Sequence, residues 1–450
     1  MGLLLGSGGT TPQYPYNMWY GVKHDFTNRD KHLTRVGNLD LHRSLPLQKK
    51  LRRFVENTDG SVKYYLHQTD SRKRDGGAAA TIDGSDGNVM LEVPHMYVRF
   101  EIDGTEWCYG ISEYPLPGFV ERPRQAISPW FATENAAGTE ALSGCWLTWS
   151  GNEIARDANG LVIMASGAPR GGSGTNWDGT YRSLIGMPKT NVSKAAVRPL
   201  CKNGTHIGAY RAYNTIAWLQ RIEYASFDCQ DDFTTTLTAD GFHQGGLGHG
   251  PAVDSTEWSN YNSYNPFVPC GVTATLGNET GKVSYVIKNW KNNTDKTVQV
   301  TSYRGLENPI EYLWMLADDV LVWHQSDKST AYVCEDPTKF TSHSDSSTSV
   351  PNGYLPVSEL PRQDGDGLTL STNDKGFSFI DQIGGSANYG VCDHFYTPVD
   401  DAPDFSAYGW YGALLSAYAF AGTYAGFGFL LTHLRSSIAY AYIGFRLCRN

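Results

Sequence analysis

The chain ends in the stretch GALLSAYAFAGTYAGFGFLLTHLRSSIAYAYIGFRLCRN, residues 412–450. Between Gly412 and Leu434 this stretch contains no Lys, Asp, Glu, Asn or Gln, although the whole chain has a net charge of −9. Such a segment is a membrane anchor, a buried core segment or a surface that contacts a partner. The choice among these three decides which fold and which function the sequence predicts.

The composition disfavours the membrane anchor. Residues 411–432 have the length of a bilayer-spanning helix, which needs about 20 mostly apolar residues. However, they include four Gly, two Thr, one Ser and three Tyr, and a segment of this composition inserts weakly. The sequence on their N-terminal side, DDAPDFS, is acidic. We therefore expect a protein that is not embedded in a membrane.

Large and small residues alternate near the end of the stretch, in IAYAYI at residues 438–443. A period of two predicts a β-strand with Ile438, Tyr440 and Tyr442 on one face. Both faces lack charge, so the pattern leaves open which of them is buried.

The set of residue types in the stretch is also restricted. Residues 411–442 contain no Trp, Met, Lys, Gln or Glu. These five cannot arise when the adenines of an Asn codon ending in a pyrimidine are randomised, whereas the large residues present all can. They are set among Ala, Gly, Ser and Thr, much as antibody paratopes combine rigid aromatic contacts with small, adaptable residues. This pattern favours a contact surface.

The rest of the chain is rich in predicted strands and loops. The 48 Gly, 27 Tyr and 12 Trp of the whole chain favour strands over long helices. β-like runs separated by turns predict a small β-rich N-terminal region at residues 1–115. In the larger region, residues 116–450, the segment YNTIAWLQRIEYASF at 213–227 has the apolar spacing of a helix. The acidic balance argues against a nucleic-acid partner.

The N-terminus and the cysteines indicate synthesis and folding in a reducing compartment. The opening MGLLLGSGGTTPQ does not resemble a signal peptide, because three leucines are too short an apolar core and no basic residue precedes them. The eight cysteines are scattered and form no CxxC pair. This distribution predicts mostly reduced, buried thiols rather than a disulfide framework or a metal cluster.

Motifs for catalysis and metal binding are weak in this sequence. No GxSxG, Walker or dinucleotide-binding motif occurs. His243 and His249 have no third ligand nearby in the sequence, which favours a structural loop over a metal site. The run DGDG at 364–367 favours a turn over a calcium site. Asp318 and Asp319 favour a buried hydrogen-bonding role over acid–base catalysis. We therefore expect no enzyme activity, no cofactor and no bound metal.

Three segments, taken in order, resemble the C-type-lectin-like fold of the formylglycine-generating-enzyme type. They are the helix end at Ile222–Ala225, the segment from Asn308 to Trp314, and the terminal GFR strand at Gly444–Arg446. The resemblance implies an α+β fold, with a C-type-lectin-like domain at residues 116–450 and a smaller β-rich domain at residues 1–115.

The sequence departs from that family where catalysis would occur. Its enzymes use a reactive cysteine pair in the C-terminal half. Here Cys392 and Cys448 are far apart in sequence, and Cys448 lies on the terminal strand. Calcium-dependent sugar binding is also unsupported, because the Glu-Pro-Asn and Trp-Asn-Asp signatures are missing. The resemblance therefore implies the fold without the activity.

The ending SSIAYAYIGFR further resembles the variable proteins of diversity-generating retroelements, which mutagenise adenines near the 3′ end of a target gene. In phages such proteins resemble tail-tip adhesins. This resemblance implies a phage receptor-binding protein with a variable region at about 408–442 that binds a host cell-surface glycan or outer-membrane protein. It also implies a homotrimer at the tail tip of the virion, made in the host cytoplasm and attached to other tail proteins through its N-terminal region.

The resemblance assigns variable, receptor-binding positions and frame positions to this sequence. The variable positions are Tyr408, Tyr411, Tyr418, Phe420, Tyr424, Phe427, Leu431, His433, Leu434, Ile438, Tyr440 and Tyr442. The frame positions are Gly412, Ala413, Gly422, Gly426, Ser436, Ser437, Gly444, Phe445 and Arg446, with Trp410 as a further scaffold residue.

Three alternatives remain open at the level of sequence. The first is a bacterial surface or secreted lectin-like protein of the same fold, and the second is a degenerate enzyme of the formylglycine-generating type. The third is the membrane anchor considered above.

Overall fold

The protein is described here by a computed structural model over residues 17–135, 137–145, 186–262, 264–291, 294–341, 347–398, 408–435 and 437–450. Within these ranges the chain is rich in β-sheet and has few helices. The frame residue Ser436 lies outside them. The α-helices of the described residues are α1 (Leu39–Ser44), α2 (Lys194–Val197), α3 (Tyr210–Tyr224) and α4 (Ser255–Asn262).

Two antiparallel sheets contain most of the N-terminal strands, and both extend past residue 115. A five-stranded sheet has the order β2-β1-β8-β7-β9, and a six-stranded sheet has the order β25-β10-β6-β3-β4-β5. The last strand of the chain therefore pairs into an N-terminal sheet. The strands are β1 (Tyr20–Asp25), β2 (Thr34–Gly37), β3 (Arg53–Glu56), β4 (Val62–His67), β5 (Asp70–Arg74), β6 (Val89–Val93), β7 (Met96–Asp103), β8 (Glu106–Ser112), β9 (Val120–Arg122), β10 (Gln125–Ile127) and β25 (Cys448–Arg449).

A nine-stranded sheet forms the centre of the C-terminal region. Its order is β18-β17-β16-β22-β23-β21-β19-β20, and β24 pairs in parallel with β16. The sheet curls so that strands near its opposite ends meet. Ser358 of β18 and Ser371 of β19 form a hydrogen bond of 2.6 Å. The strands are β16 (Trp314–His324), β17 (Ser329–Val333), β18 (Leu355–Leu360), β19 (Gly365–Thr372), β20 (Ser378–Ile383), β21 (His394–Tyr396), β22 (Gly409–Leu415), β23 (Leu430–Leu431) and β24 (Ile443–Gly444).

Two smaller sheets complete the described strands. One is a hairpin with a short third strand, and the other is a two-stranded pair. These strands are β11 (Thr133–Glu134), β12 (Ala141–Leu142), β13 (Gly281–Lys291), β14 (Thr294–Tyr303) and β15 (Leu306–Glu307).

The helix predicted at 213–227 is present as α3, and almost all of its residues are buried. Its Trp218 stacks on Tyr109 of β8, with ring centroids 3.8 Å apart, so the helix joins the N-terminal sheet to the C-terminal core. At its N-terminus the backbone N–H groups of Tyr210 and Arg211 each donate to the Asp319 carboxylate at 3.0 Å. A carboxylate there satisfies donors that have no partner within the helix and favours the helix dipole.

The Asp318–Asp319 pair therefore has the hydrogen-bonding role that the sequence predicts. Asp318 has a fully buried side chain and accepts two hydrogen bonds from the Arg198 guanidinium, at 2.6 and 2.7 Å. Asp319 caps α3, as described above. Both carboxylates order the backbone around β16.

The terminal GFR segment anchors the chain end in the core. Arg446 is buried and donates to the carbonyls of Ser128, Glu307 and Asn308 at 2.6–3.1 Å. A side chain at Gly444 would press on the Phe131 ring. The assignment of Gly444, Phe445 and Arg446 to the frame agrees with their burial.

The strand predicted at IAYAYI is wrong. Only Ile443, at the end of that run, lies in a strand. Ala441 and Tyr442 form a turn, and the three residues before them have no regular secondary structure. The amide of Ile438 donates to the carbonyl of Arg435 at 3.1 Å, and the amide of Ile443 donates to that of Tyr440 at 3.0 Å. The alternation of large and small residues therefore arises in a loop, where a period of two has no fixed structural meaning.

Candidate functional site

The twelve positions assigned as variable differ widely in exposure. The exposure of each position depends on the sheet or loop that contains it and not on its residue type. Phe420, Tyr424 and Tyr440 are exposed, by 46%, 43% and 39%. The half-buried positions are Tyr408, Tyr418, His433, Leu434, Ile438 and Tyr442, and the buried positions are Tyr411, Phe427 and Leu431.

The sequence predicts exposure at Tyr411, Phe427 and Leu431, and this prediction is wrong. Tyr411 lies in β22, an interior strand, and Leu431 lies in the adjacent β23. Phe427 packs in the core against Tyr213 and Tyr303, with ring centroids 5.3 and 6.2 Å apart. The residue types give no sign of this, because an aromatic ring suits a core as well as a contact surface.

Five rings form a continuous cluster that we call the aromatic ridge: Tyr264, Tyr418, Phe420, Tyr440 and Tyr442. Tyr440 and Tyr442 stack at 5.1 Å with an interplanar angle of 25°. Tyr418 lies 5.2 Å from Tyr442 and 5.8 Å from Phe420, and Tyr264 lies 5.8 Å from Tyr442. The ridge thus joins two loops of the C-terminal stretch to a residue far away in sequence.

A rigid segment of backbone lies beneath the ridge. The amide of Tyr312 donates to the carbonyl of Ala417, and the amide of Ala419 donates to the carbonyl of Tyr312, both at 3.0 Å. The amide of Trp314 donates to the carbonyl of Tyr442 at 3.0 Å. The same 312–314 segment therefore holds both loops. The indole of Trp314 also stacks beneath Tyr418 at 5.8 Å.

A second group of rings adjoins the ridge, and we call it the histidine corner: His394, Tyr396, Tyr424 and His433. The His394 ring lies 4.3 Å from Tyr424 and 4.5 Å from Tyr396, and Tyr396 lies 5.8 Å from His433. Buried Phe429 connects the two groups, because it contacts Tyr396 at 5.5 Å and the indole beneath the ridge at 4.7 Å.

Two phenols of this surface, Tyr442 and Tyr396, remain protonated well above neutral pH. Burial, with smaller contributions from the hydroxyls of Tyr440, Tyr418 and Tyr264, raises the pKa of Tyr442 to about 12. Burial likewise raises the pKa of Tyr396 to about 12. Each hydroxyl can therefore both donate and accept a hydrogen bond. The surface combines apolar ring area with neutral polar tips.

A buried ion pair supports the loop that contains Phe427. Arg221 of α3 donates to the Asp393 carboxylate at 3.0 Å, and both side chains are buried. Burial raises the pKa of Asp393 to about 6, although Arg221 opposes this shift. A Cβ at either Gly426 or Gly428 would collide with this carboxylate. The glycines of the GFGF run are thus required by close packing, which agrees with the frame role assigned to Gly426.

Trp410 is buried, as expected of a scaffold residue. Its ring packs at 4.6 Å from Trp323 and 4.9 Å from Tyr332. Gly412 and Ala413 are buried beside it in β22, whereas Gly422 and Ser437 lie nearer the surface.

The sequence did not indicate Tyr264, His394 or Tyr396 as part of this surface. They come from two segments outside the C-terminal stretch, the loop after α4 and strand β21, and no local pattern marks them. The run DGDG at 364–367 was the one nearby signal. It enters strand β19 instead of forming the predicted turn, and its Asp366 accepts a hydrogen bond from His394 Nδ1 at 2.6 Å.

The histidines of the Gly-rich loop pair with different acids. His243 lies 3.5 Å from Glu223, and His249 lies 3.4 Å from Glu311. Among the described residues there is no group of three or more His, Cys, Asp or Glu side chains that could hold a metal ion.

Six of the eight cysteines are buried, as predicted. Burial raises the pKa of Cys392 and of Cys448, so each thiol stays protonated at neutral pH. A protonated thiol is a poor nucleophile. The two cysteines also lie in different elements. Cys448 is on strand β25, and Cys392 is in the loop before β21.

None of the helices that the structure describes has both the length and the apolar character needed to cross a membrane. The stretch from Tyr411 to Thr432 consists of strand β22, a 3₁₀ turn and strand β23 within a sheet.

Comparison with known proteins gives little further guidance. No protein-family model and no curated protein matches the sequence. Among solved structures, a protein titled "Major Tropism Determinant U1 Variant" aligns with 93% of this chain and 89% of its own at 9% identity, with a TM-score of 0.22. A TM-score of this size does not establish a common fold, so the functional argument depends on the surface itself.

Proposed function

We propose that this protein is a phage receptor-binding protein, a tail-fibre or tail-tip adhesin without enzyme activity. In this proposal a C-type-lectin-like domain presents a diversified C-terminal surface that binds a host cell-surface glycan or outer-membrane protein. The observation that supports it best is the aromatic ridge, which exposes large rings above a backbone fixed by hydrogen bonds.

Exposed aromatic rings in one cluster are unusual on a protein without a partner. Large exposed apolar patches mark interaction sites on soluble proteins. Tyr and Phe provide much contact area with little loss of side-chain entropy, which makes them frequent in paratopes and at interface hot spots. The ridge has both properties, because Phe420 and Tyr440 are exposed while Tyr418 and Tyr442 are half-buried beneath them.

The division between surface and frame also fits a diversified protein. Substitution at Phe420 or Tyr440 changes a ring that projects from a loop, and the hydrogen bonds beneath it involve only backbone atoms. Such positions tolerate many side chains without loss of the fold. Tyr411, Phe427 and Leu431 do not meet this condition, so the proposal assigns them to the frame.

The remaining parts of the proposal concern assembly. We place the protein at the tail tip of the virion as a homotrimer, made in the host cytoplasm, with the N-terminal region attached to other tail proteins. Several copies would increase the apparent affinity of a modest single site through avidity.

The proposal is tested by exchanging exposed rings for Ser in the full chain. Labelled protein is incubated with a panel of bacterial strains, and the amount retained on the cells is measured. We expect Phe420→Ser and Tyr440→Ser to reduce retention about tenfold each, since hot-spot aromatics typically contribute at least about 1–2 kcal/mol. Tyr114, which is 51% exposed outside this surface, provides the matched control Tyr114→Ser.

Equal retention of all three variants on the cells would contradict the proposal. It would also be contradicted if no strain of the panel retained the wild-type protein. The diversification is tested separately in the DNA. We expect an Asn-rich copy of the sequence that encodes the C-terminal stretch beside a reverse-transcriptase gene. If no such copy exists, the diversified character of the surface is refuted, although its binding role is not.

A further inference from the structure

The histidine corner differs from the aromatic ridge because two carboxylates, Asp364 and Asp366, lie beside it. Asp366 accepts a hydrogen bond from His394 Nδ1 at 2.6 Å, and Asp364 accepts one from the backbone amide of Thr397 at 2.5 Å. Both aspartates are partly exposed. The two carboxylates therefore lie at the end of the aromatic surface, next to His394 and Tyr396.

The field at this corner is acidic. Burial is the main cause of the raised pKa of Tyr396, and Tyr418, Tyr424, Asp364 and Asp366 raise it further. The Asp366 carboxylate lies 2.6 Å from His394 Nδ1, and the His394 ring lies 4.3 Å from the Tyr424 ring. The corner thus places the Asp366 carboxylate near the exposed ring of Tyr424.

Arg435, a cationic side chain of the C-terminal stretch, is engaged within that stretch. Its guanidinium donates to the carbonyls of Trp410 and Tyr408, and it covers the Tyr411 ring at 3.9 Å. These contacts hold it over β22. The ring of His433, 5.8 Å from Tyr396, is the histidine that faces the corner from the C-terminal stretch.

We propose that the histidine corner binds a lysine or arginine side chain of a protein receptor. The inference rests on the proposed function and specifies the partner for one end of the same surface. A cation above an aromatic face is stabilised by the ring quadrupole, and Tyr424 offers an exposed ring. The carboxylates of Asp364 and Asp366 add coulombic attraction to the same cation.

The geometry favours a basic protein side chain over a neutral sugar. A sugar hydroxyl can donate to either carboxylate, since His394 and Thr397 engage Oδ1 of each. A cationic group can donate in the same way and, in addition, gains coulombic attraction to both carboxylates. A cationic group therefore gains more at this corner than a neutral glycan does.

The test selects ligands for the immobilised full chain from a random linear peptide library and, in parallel, from a glycan array. We expect the retained peptides to be enriched in Lys and Arg relative to the unselected library. Their affinity should fall about tenfold in Asp366→Asn and in Tyr424→Ser, because each variant removes one part of the cation site. Asp366→Asn keeps an oxygen that can accept from His394, and Tyr424→Ser changes an exposed ring, so both should fold.

The control is Asp40→Asn, which removes the same charge from a side chain in α1 that is 86% exposed. It should change the affinity less than about twofold, since a distant surface charge is largely screened. An equal effect of Asp40→Asn and Asp366→Asn would attribute the binding to net charge and overturn the proposed corner.

The other outcomes separate this inference from the proposed function. Peptides that need Phe420 and Tyr440 but show no basic enrichment would overturn the cation site and leave the adhesin proposal in place. Glycans retained through Phe420 and Tyr440, with no retained peptide, would overturn the choice of a protein receptor. If no ligand of either class depends on Phe420 or Tyr440, both proposals fail.

Discussion

Two phenylalanines of the C-terminal stretch, Phe420 and Phe427, should respond in opposite ways to the same substitution. Phe427 is 5% exposed and packs against Tyr213 and Tyr303. Replacing a buried Phe with Ala typically costs about 3–5 kcal/mol, because transfer free energy is lost and a cavity remains. Phe420 is 46% exposed and has one edge contact, with Tyr418, so Phe420→Ala should cost about 1 kcal/mol or less.

Urea unfolding followed by intrinsic fluorescence measures this difference. We expect the free energy of unfolding of Phe427→Ala to lie at least about 2 kcal/mol below that of Phe420→Ala, with the urea dependence of both unchanged. Tyr114→Ala, at a ring outside the surface, controls for the loss of an exposed aromatic. If Phe420→Ala destabilises the protein as much as Phe427→Ala does, the assignment of Phe420 to the surface and of Phe427 to the frame is wrong.

Three further predictions concern the frame. Asp319→Ala should lower the stability by about 1–3 kcal/mol, because two amides at the start of α3 lose a charged acceptor, whereas Asp319→Asn should recover part of that loss in the same urea assay. The folded pKa of Asp393, about 6, exceeds the usual Asp value of 3.8, so this group binds more protons when folded and its contribution to stability falls as pH rises from about 4 to about 6. Asp393→Asn should therefore show a less negative slope of stability against pH over that interval than the wild type, and identical slopes would contradict the burial of this carboxyl. Gly426→Ala should disrupt the surface more than Gly422→Ala. A Cβ at Gly426 meets the Asp393 carboxylate, whereas the space at Gly422 is open and only its positive φ of 57° opposes a side chain. Heat-induced unfolding should show the larger loss for Gly426→Ala, and the reverse order would refute the close packing at Gly426.

The sequence alone determined the features that depend on local pattern. The spacing of Ile216, Leu219 and Ile222 predicted α3, because a helix with buried apolar faces must repeat those residues every three or four positions. The scattered cysteines predicted buried thiols. Asp318 and Asp319 were predicted to be buried hydrogen-bonding carboxylates, and both are present as such.

The sequence failed where one pattern fits two environments. IAYAYI alternates like a strand, but within it only Ile443 lies in a strand, and Ala441 and Tyr442 form a turn. Phe420 and Phe427 belong to the same run of small residues and rings, yet one is exposed and the other is in the core. Residue type reports that a ring is present and gives no information on which side of a sheet it will face.

The tertiary structure alone decided which rings meet. Tyr264, Tyr396 and Asp366 come from segments with no recognisable link to the C-terminal stretch, and the curled sheet brings them to the same surface. Contacts between distant segments depend on strand order and loop path, which are set by packing across the whole core. Local sequence therefore determined which residue types the surface contains, and long-range packing determined which residues come together on it.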